Sequence, residues 1–251
     1  MGIQQESGLG YLINQYLSHI VDFLLPPRCV NCGSGGSLFC KKCQTDVRWL
    51  EEPVCQCCGE PIPRSGLCLR CERQPLSLDQ LRAALIFTGT IPKVIHQFKY
   101  NNVFGLAEPL SQIMIQRWEK WARPVDIIVP IPLHFQRLRE RGYNQSSLLA
   151  KPLAHYLNIS VDENSLVRIR QTKVQATLNA EERKRNVEQT FRVQADVCGL
   201  RVLLIDDVCT TGATLNAAST ALLEAGAKAV SAYCLARASS RHIRGSFVQN
   251  L

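Results

Sequence analysis

The stretch RVLLIDDVCTTGATLNAA, residues 201–218, decides how this chain is read. Val202-Leu203-Leu204-Ile205 is continuously apolar with a β-branched residue at each end, the pattern of a parallel strand buried on both faces. Residues 213–225 are rich in helix formers, and Gly226 stands where a helix should stop. The segment therefore reads strand, turn, helix, with Asp206 and Asp207 at the end of the strand. Ligands of open α/β sheets bind at the carboxyl ends of such strands. Two adjacent carboxylates can accept hydrogen bonds from vicinal hydroxyls or hold Mg²⁺. Beyond Val208 and Cys209, the turn Thr210-Thr211-Gly212-Ala213-Thr214 leads into a helix whose first amides lack intrahelical partners, a ready anion site. A diol beside a terminal phosphate is a ribose 5-phosphate. Neither G-x-x-x-x-G-K-[ST] nor G-x-G-x-x-G occurs, so nucleoside triphosphate and dinucleotide loops are set aside. An N-capped helix after a buried strand would need one capping residue, not five small or polar ones.

Around this stretch the chain alternates in α/β fashion. Strands are expected at 83–87, 126–131, 166–169, 202–205 and 229–236, and helices at 92–98, 106–118, 144–157, 180–187 and 213–225. That order implies a mostly parallel sheet flanked by helices. The chain has 251 residues, a net charge of +8 and a pI near 9.0, a balance that favours an anionic partner. Its longest apolar stretch, YLINQYLSHIVDFLLPP, is interrupted by Asn14, Gln15, His19 and Asp22 and is too polar and short to span a bilayer. The stretch has helical spacing and no basic start or small-residue cleavage site, so an amphipathic helix in a cytoplasmic protein is expected. The expected organisation is that helix over 1–27, a metal module over 28–75, the α/β domain over 76–238 and a frayed tail over 239–251.

The cysteines are segregated. Nine of twelve lie between Cys29 and Cys71, eight of them in the C-x-x-C pairs Cys29/Cys32, Cys40/Cys43, Cys55/Cys58 and Cys68/Cys71. Each pair bends the chain so that two thiolates face one tetrahedral ion, and cytosolic cysteine clusters favour metal over disulfides. Few large apolar residues separate the pairs, so the segment needs metal to hold a fold. Two structural zinc ions are expected, with sequential pairing preferred and interleaved pairing left open; Cys57 is left over. An iron–sulfur cluster is the alternative.

The paired-cysteine N-terminus, HQFKYNN, VPIPLHFQRLRERGYNQ, QATLNAEERKRNV and LLIDDVCTTGATL occur in one order. Together they resemble the ComF/GntX family, named for natural DNA uptake in competent bacteria. The resemblance spans Cys29 to about Ala238. It implies a type I phosphoribosyltransferase-like domain behind a zinc module, phosphoribosyl pyrophosphate (PRPP) with Mg²⁺ as ligand, and an association with single-stranded DNA and the DNA-uptake machinery. On this resemblance Asp206 and Asp207 hold the ribose hydroxyls, residues 208–214 complete the PRPP motif, and Ile131-Pro132-Leu133-His134 form the pyrophosphate loop. Arg137, Arg139 and Arg141 offer charge to pyrophosphate or a DNA backbone, and Tyr143 could stack on a base. Residues 172–190 resemble a flexible hood, with Arg183, Arg185 and Asn186 as candidate anion contacts. Lys99 and Tyr100 match a family motif without a mechanism beyond phosphate or DNA contact. Two functions follow: a phosphoribosyltransferase with an unidentified acceptor, or a non-catalytic DNA-uptake adaptor with PRPP as regulatory ligand.

Overall fold

A computed structural model describes residues 26–170 and 190–238. The expected N-terminal helix, the C-terminal tail, the helix at 180–187 and the candidates Arg183, Arg185 and Asn186 lie outside the described residues. The chain divides at Asp46/Val47 into two compact units, within the span expected for one metal module. The first contains the pairs Cys29/Cys32 and Cys40/Cys43 and the short helix α1 (Lys41–Thr45).

The second unit begins with the other two cysteine pairs and helix α2 (Leu69–Arg73). It continues through β1 (Gln80–Ile86), α3 (Ile91–Tyr100), α4 (Ala107–Trp121), β2 (Ile127–Pro130), α5 (Phe135–Arg141), α6 (Gln145–Leu157) and β3 (Ser160–Val161). Then follow β4 (Leu166–Arg168), β5 (Phe191–Val193), β6 (Arg201–Cys209), α7 (Ala213–Glu224) and β7 (Ala229–Arg237). Five strands form one sheet in the order β1-β7-β6-β2-β3, every pair parallel. Residues 230–238 are all buried, as a strand covered on both faces requires. Tyr233 is tolerated there because its hydroxyl donates to the Met114 carbonyl at 2.8 Å. The outer edge of β1 is covered by the chain at 48–50, where the Leu50 amide donates to Ala84 O at 2.9 Å and the Ile86 amide to Arg48 O at 2.8 Å.

Two local features set the site's frame. Helix α6 starts at Asn144, whose side chain accepts from the Ser146 amide at 3.1 Å, and ends at Asn158 in the left-handed region. The strand order reverses between β2 and β6: the chain leaves β2 for the edge strand β3, and β6 returns to the other side of β2. That reversal opens a crevice at the carboxyl ends of β2 and β6.

Two expectations change. The segment around 166–169 does not join the main sheet; β4 pairs antiparallel with β5 in a separate two-stranded ribbon. Each of the two strands is only three residues long, and Leu166, Val167 and Arg168 pair with Val193, Arg192 and Phe191. The strand expected at 202–205 runs on to Cys209, through both acids, because β7 pairs with it that far.

Candidate functional site

The extra length of β6 makes the site. The last register pair between β2 and β6 is Pro130 with Ile205. From Asp206 onward β6 is paired, among the described residues, only with β7, so its other edge faces the crevice. Successive strand residues point to opposite faces, which separates the two acids. Asp206 accepts from the Ser146 hydroxyl on α6 at 3.0 Å and from the Asp207 amide at 2.9 Å. Asp207 is only 2 % exposed, and its Oδ1 lies 3.0 Å from Lys99 Nζ on α3 and accepts from the Val208 amide at 2.6 Å.

Burial, then the neighbouring Asp207 charge, pushes the Asp206 carboxyl up to about 7; Lys99 works against both. Burial opposes the Lys99 charge, but Asp207 and then Asp206 outweigh it and raise the lysine's pKa. Asp207 Oδ2 is buried with no hydrogen-bond partner among the described residues. An unsatisfied carboxylate oxygen costs roughly 1–3 kcal/mol, so Oδ2 is an acceptor still in want of a donor. Hard oxygen donors in a crevice suit Mg²⁺ held through its waters.

After β6 the turn exposes Thr210 and Thr211, buries Gly212 and leaves Ala213 exposed and Thr214 half-buried. Gly212 has φ of 82°, and a Cβ there would stand 3.2 Å from Leu76 Cδ1, so only glycine fits. The Asn216 amide closes the first helical bond to Gly212 O at 2.8 Å, which leaves the preceding amides of α7 toward the turn. Val208 is half-buried. The Cys209 thiol does not face the crevice: it lies 2.6 Å from Arg237 Nη1 inside the protein, and burial raises its pKa to about 11.

The loop 131–134 follows β2, next to β6. Ile131 N donates to Ile205 O at 2.9 Å, and Asn144 Nδ2 donates to Ile131 O at 3.0 Å, tying the loop to β6 and to the start of α6. Pro132 and Leu133 are half-buried; His134 is buried, with its Nδ1 unpartnered among the described residues. Among those residues the one cis peptide is Glu52–Pro53, so the peptides of this loop are trans.

Helix α5 carries Arg137 and Arg139 exposed and Arg141 half-buried. Arg137 and Arg141 line a cleft of about 380 Å³ with Lys99, Tyr100, Asn102 and Glu140. Arg141 also sits over the Tyr100 ring, 5.2 Å from its centroid, and donates to Gln145 at 2.5 Å. Tyr143 is already engaged: its hydroxyl donates to the Phe98 carbonyl and its ring packs on Phe98 and Phe104. The exposed apolar side chains beside these arginines are Phe135, Leu138, Tyr100 and Phe104.

The sequence missed three partners. Ser146 sits one residue after the RLRERGYNQ motif and gives no sign of its acid partner. Lys99 stands in a quoted motif, but its pairing with Asp207 spans the fold. Arg237 did carry a signal, a lone charge in the apolar run AYCLARA.

The eight cysteines form two sets, Cys29/Cys32/Cys40/Cys43 and Cys55/Cys58/Cys68/Cys71, each with its sulfurs within 4.8 Å of one another. Pairing is therefore sequential. Cys32 and Cys40 sulfurs are 3.6 Å apart and Cys58 and Cys68 sulfurs 3.7 Å. A tetrahedral ion with Zn–S bonds of ~2.3 Å needs sulfur separations of about 3.8 Å, so both sets fit structural zinc. The Ser34 hydroxyl brings the Cys32 thiol down to about 6. Burial opposes ionisation of Cys55, yet the backbone amides of Cys58, Cys68 and Cys57 bring it to about 7. Cys57 stands outside the set; its sulfur accepts from the Leu76 amide at 3.4 Å.

A five-stranded parallel sheet with an acid pair at its reversal point, joined to paired-cysteine ribbons, defines a zinc-ribbon protein with a type I phosphoribosyltransferase-like domain. Residues 20–72 match the double zinc ribbon domain and residues 144–247 the phosphoribosyl transferase domain. DNA utilization protein YhgH of Salmonella typhimurium is 35% identical over 204 residues, covering 79% of this chain and 89% of that protein. Competence protein F of Haemophilus influenzae is 29% identical over 225 residues, covering 84% and 97%. The chain belongs to the ComF family. Among solved structures, the glutamine PRPP amidotransferase of B. subtilis is 22% identical with a TM-score of 0.38, covering 53% of this chain and 26% of that one. Among the described residues no helix is long and apolar enough to cross a membrane.

Proposed function

We propose that the crevice binds PRPP with Mg²⁺ and that the protein serves DNA uptake. The observation that carries this reading is the acid pair beyond the last β2–β6 register pair, with Asp207 held by Lys99 and its second oxygen unsatisfied. In this reading Asp206 and Asp207 accept the ribose hydroxyls. The amides and hydroxyls of residues 210–214 receive the 5-phosphate, and the 131–134 loop faces the pyrophosphate. Mg²⁺, retaining waters, supplies charge neutralisation at the pyrophosphate. Cleavage at C1 passes through an oxocarbenium-like state that the site stabilises by holding both halves in place. Ser146 and Lys99 orient the two carboxylates before the ligand arrives. The names of the relatives, DNA utilization protein and competence protein, support placing this chemistry in the handling of incoming DNA.

Single-stranded DNA is assigned to α5. Exposed Phe135 and Leu138 alternate there with Arg137 and Arg139, and stacking beside cations is how sequence-tolerant single-strand binding works. Tyr143, half-buried with its ring on Phe98, offers less free face to a base than Phe135 does.

Calorimetry tests the first assignment. Asp206→Asn with Asp207→Asn should weaken PRPP by at least about 100-fold, since each charge-assisted hydrogen bond is worth roughly 1.5–3 kcal/mol. Unchanged affinity would remove PRPP from this crevice. Incubation with PRPP, Mg²⁺ and a panel of acceptors including single-stranded DNA, with pyrophosphate release followed, separates turnover from binding alone.

A further inference from the structure

We infer that the second cysteine set, with Arg70 and Arg237, positions the anion-binding turn, so that metal at Cys55/Cys58/Cys68/Cys71 and ligand at 210–214 are energetically coupled. The inference rests on the proposed ligand site and adds a regulator to it. Its basis is a chain of contacts inside one compact unit. Gly59, directly after Cys58, has φ of 66°, and a Cβ there would stand 2.4 Å from Leu81 O, so the metal loop lies against β1 with no room for a side chain. The Leu81 amide donates to Cys57 O at 2.8 Å, and Arg82 donates to Cys55 O at 3.3 Å and Gln56 O at 3.0 Å.

Two arginines then run from the metal loop to the turn. Arg70, between Cys68 and Cys71 on α2, donates from Nη1 to the Thr211 carbonyl at 2.5 Å. Arg237 on β7, 2 % exposed, donates to the Cys209 sulfur at 2.6 Å and to Glu60 at 3.0 Å, and its Nη2 lies 3.8 Å from the Cys58 sulfur. The stretch after the set closes the frame. Leu76 packs on Gly212, the Ser77 amide donates to Asn216 Oδ1 at 2.6 Å, and the Ser219 hydroxyl donates to Ser77 O at 3.1 Å.

Four thiolates on a divalent ion carry two net negative charges. Two guanidiniums beside them are held by that charge, and the same guanidiniums hold the turn. With the metal gone the four sulfurs are no longer held at one point, and the frame on which both arginines rest loosens. Coupling between sites is reciprocal, so ligand in the crevice should tighten metal binding at this set by the factor by which metal tightens ligand.

The test is hydrogen exchange on the ligand-free protein with two zinc ions bound. Arg70→Gln should keep both ions, and the first hydrogen-bonded amides of α7, from Asn216 on, should exchange about tenfold faster, the loss expected for one hydrogen bond from a charged donor. The amides of α4 should be unchanged. PRPP affinity should fall by a similar factor. Arg70→Lys keeps a charge beside the thiolates with a single-point donor, so it isolates the loop contact from metal retention should Arg70→Gln lose zinc. Wild-type exchange at the first bonded amides of α7, from Asn216 on, in the zinc-replete variant overturns the inference. Because exchange is read without ligand, failure of PRPP to bind would sink the ligand assignment and leave the metal-to-turn coupling standing or falling by itself.

Discussion

The two cysteine sets have the same ligands and the same spacing, and the fold uses them differently. In the first, Cys32 is exposed, and its thiols are hydrogen-bonded by Asn31 and Ser34 of the same compact unit. In the second, Cys55 and Cys58 are fully buried, and the loop is bonded to β1, β7 and the turn before α7. A zinc ribbon is therefore not one kind of part. The first set closes a unit in which, among the described residues, Phe39 is the one large apolar side chain buried beside the cysteines. The second is built into the wall of the sheet and stands in for a missing stretch of hydrophobic packing beside β1.

The largest test of that contrast is to remove one ligand from each set. A structural zinc site contributes roughly 10–16 kcal/mol of apparent folding free energy, against a net stability of about 5–15 kcal/mol for a domain. Cys58→Ser should lose one zinc and with it the cooperative melting of the sheet. Cys40→Ser should also lose one zinc but keep that melting transition. Metal analysis with thermal denaturation by circular dichroism checks both, and equal loss of the sheet in the two variants would break the comparison.

A smaller effect is expected inside the crevice, away from either metal set. Lys99 and Asp207 are both largely buried, and removing one partner of such a pair costs about 3–5 kcal/mol because the other charge is left unpaired. Lys99→Met should be destabilised by about that much. Lys99→Met with Asp207→Asn should recover most of it, since neither charge then remains. Urea denaturation of the single and double variants gives the coupling, and strict additivity would mean the pair is not an energetic unit.

The pH dependence of the ligand-free protein should come from the other acid. Asp206 titrates near 7 in the folded protein, through burial and the Asp207 charge, and near 3.9 when unfolded. The folded state therefore holds the extra proton between these values. Its contribution is complete below about pH 4 and is lost as pH rises through 7. Asp206→Asn should flatten this dependence and raise stability at pH 8 by on the order of 2 kcal/mol, discounted because the side chain is only half-buried. A wild-type pH profile in that variant would place the titration elsewhere.

How much of this was legible in the sequence depends on range. Val202 to Ile205 announced a buried strand because four apolar residues and the following turn are neighbours in the chain. The helices at 92–98, 106–118, 144–157 and 213–225 were read to within a few residues for the same reason. Continuation of β6 through two acids was not, because its cause is the pairing with β7. The ribbon of β4 and β5 was misread because three residues are too few to tell a sheet strand from the stem of a connection. The four C-x-x-C pairs gave the ligands and the preferred pairing. That the second set belongs with the sheet was invisible, because Gly59 against Leu81 and Arg70 against Thr211 are long-range contacts with no local pattern. Tyr143 and Phe135 both border arginines, and only the fold shows that Tyr143 is half-buried with its ring on Phe98 and Phe104 while Phe135 is exposed.

The smallest expected effect concerns the ninth cysteine, and it sharpens what the second set consists of. Cys57 lies between two ligands and is buried, yet its sulfur accepts from the Leu76 amide at 3.4 Å and is not among the four sulfurs grouped for metal. Its carbonyl, not its thiol, ties the loop to β1, through the Leu81 amide. A serine hydroxyl can accept the same amide, so Cys57→Ser should change stability by less than about 1 kcal/mol. Cys57→Ala leaves that amide without an acceptor and should cost roughly 1–3 kcal/mol. Both variants should retain two zinc ions per chain. If Cys57→Ser instead dropped to one, Cys57 would be a working ligand, and the second set would be a five-thiol site that exchanges partners, not the closed tetrahedral anchor on which the contrast with the first set depends.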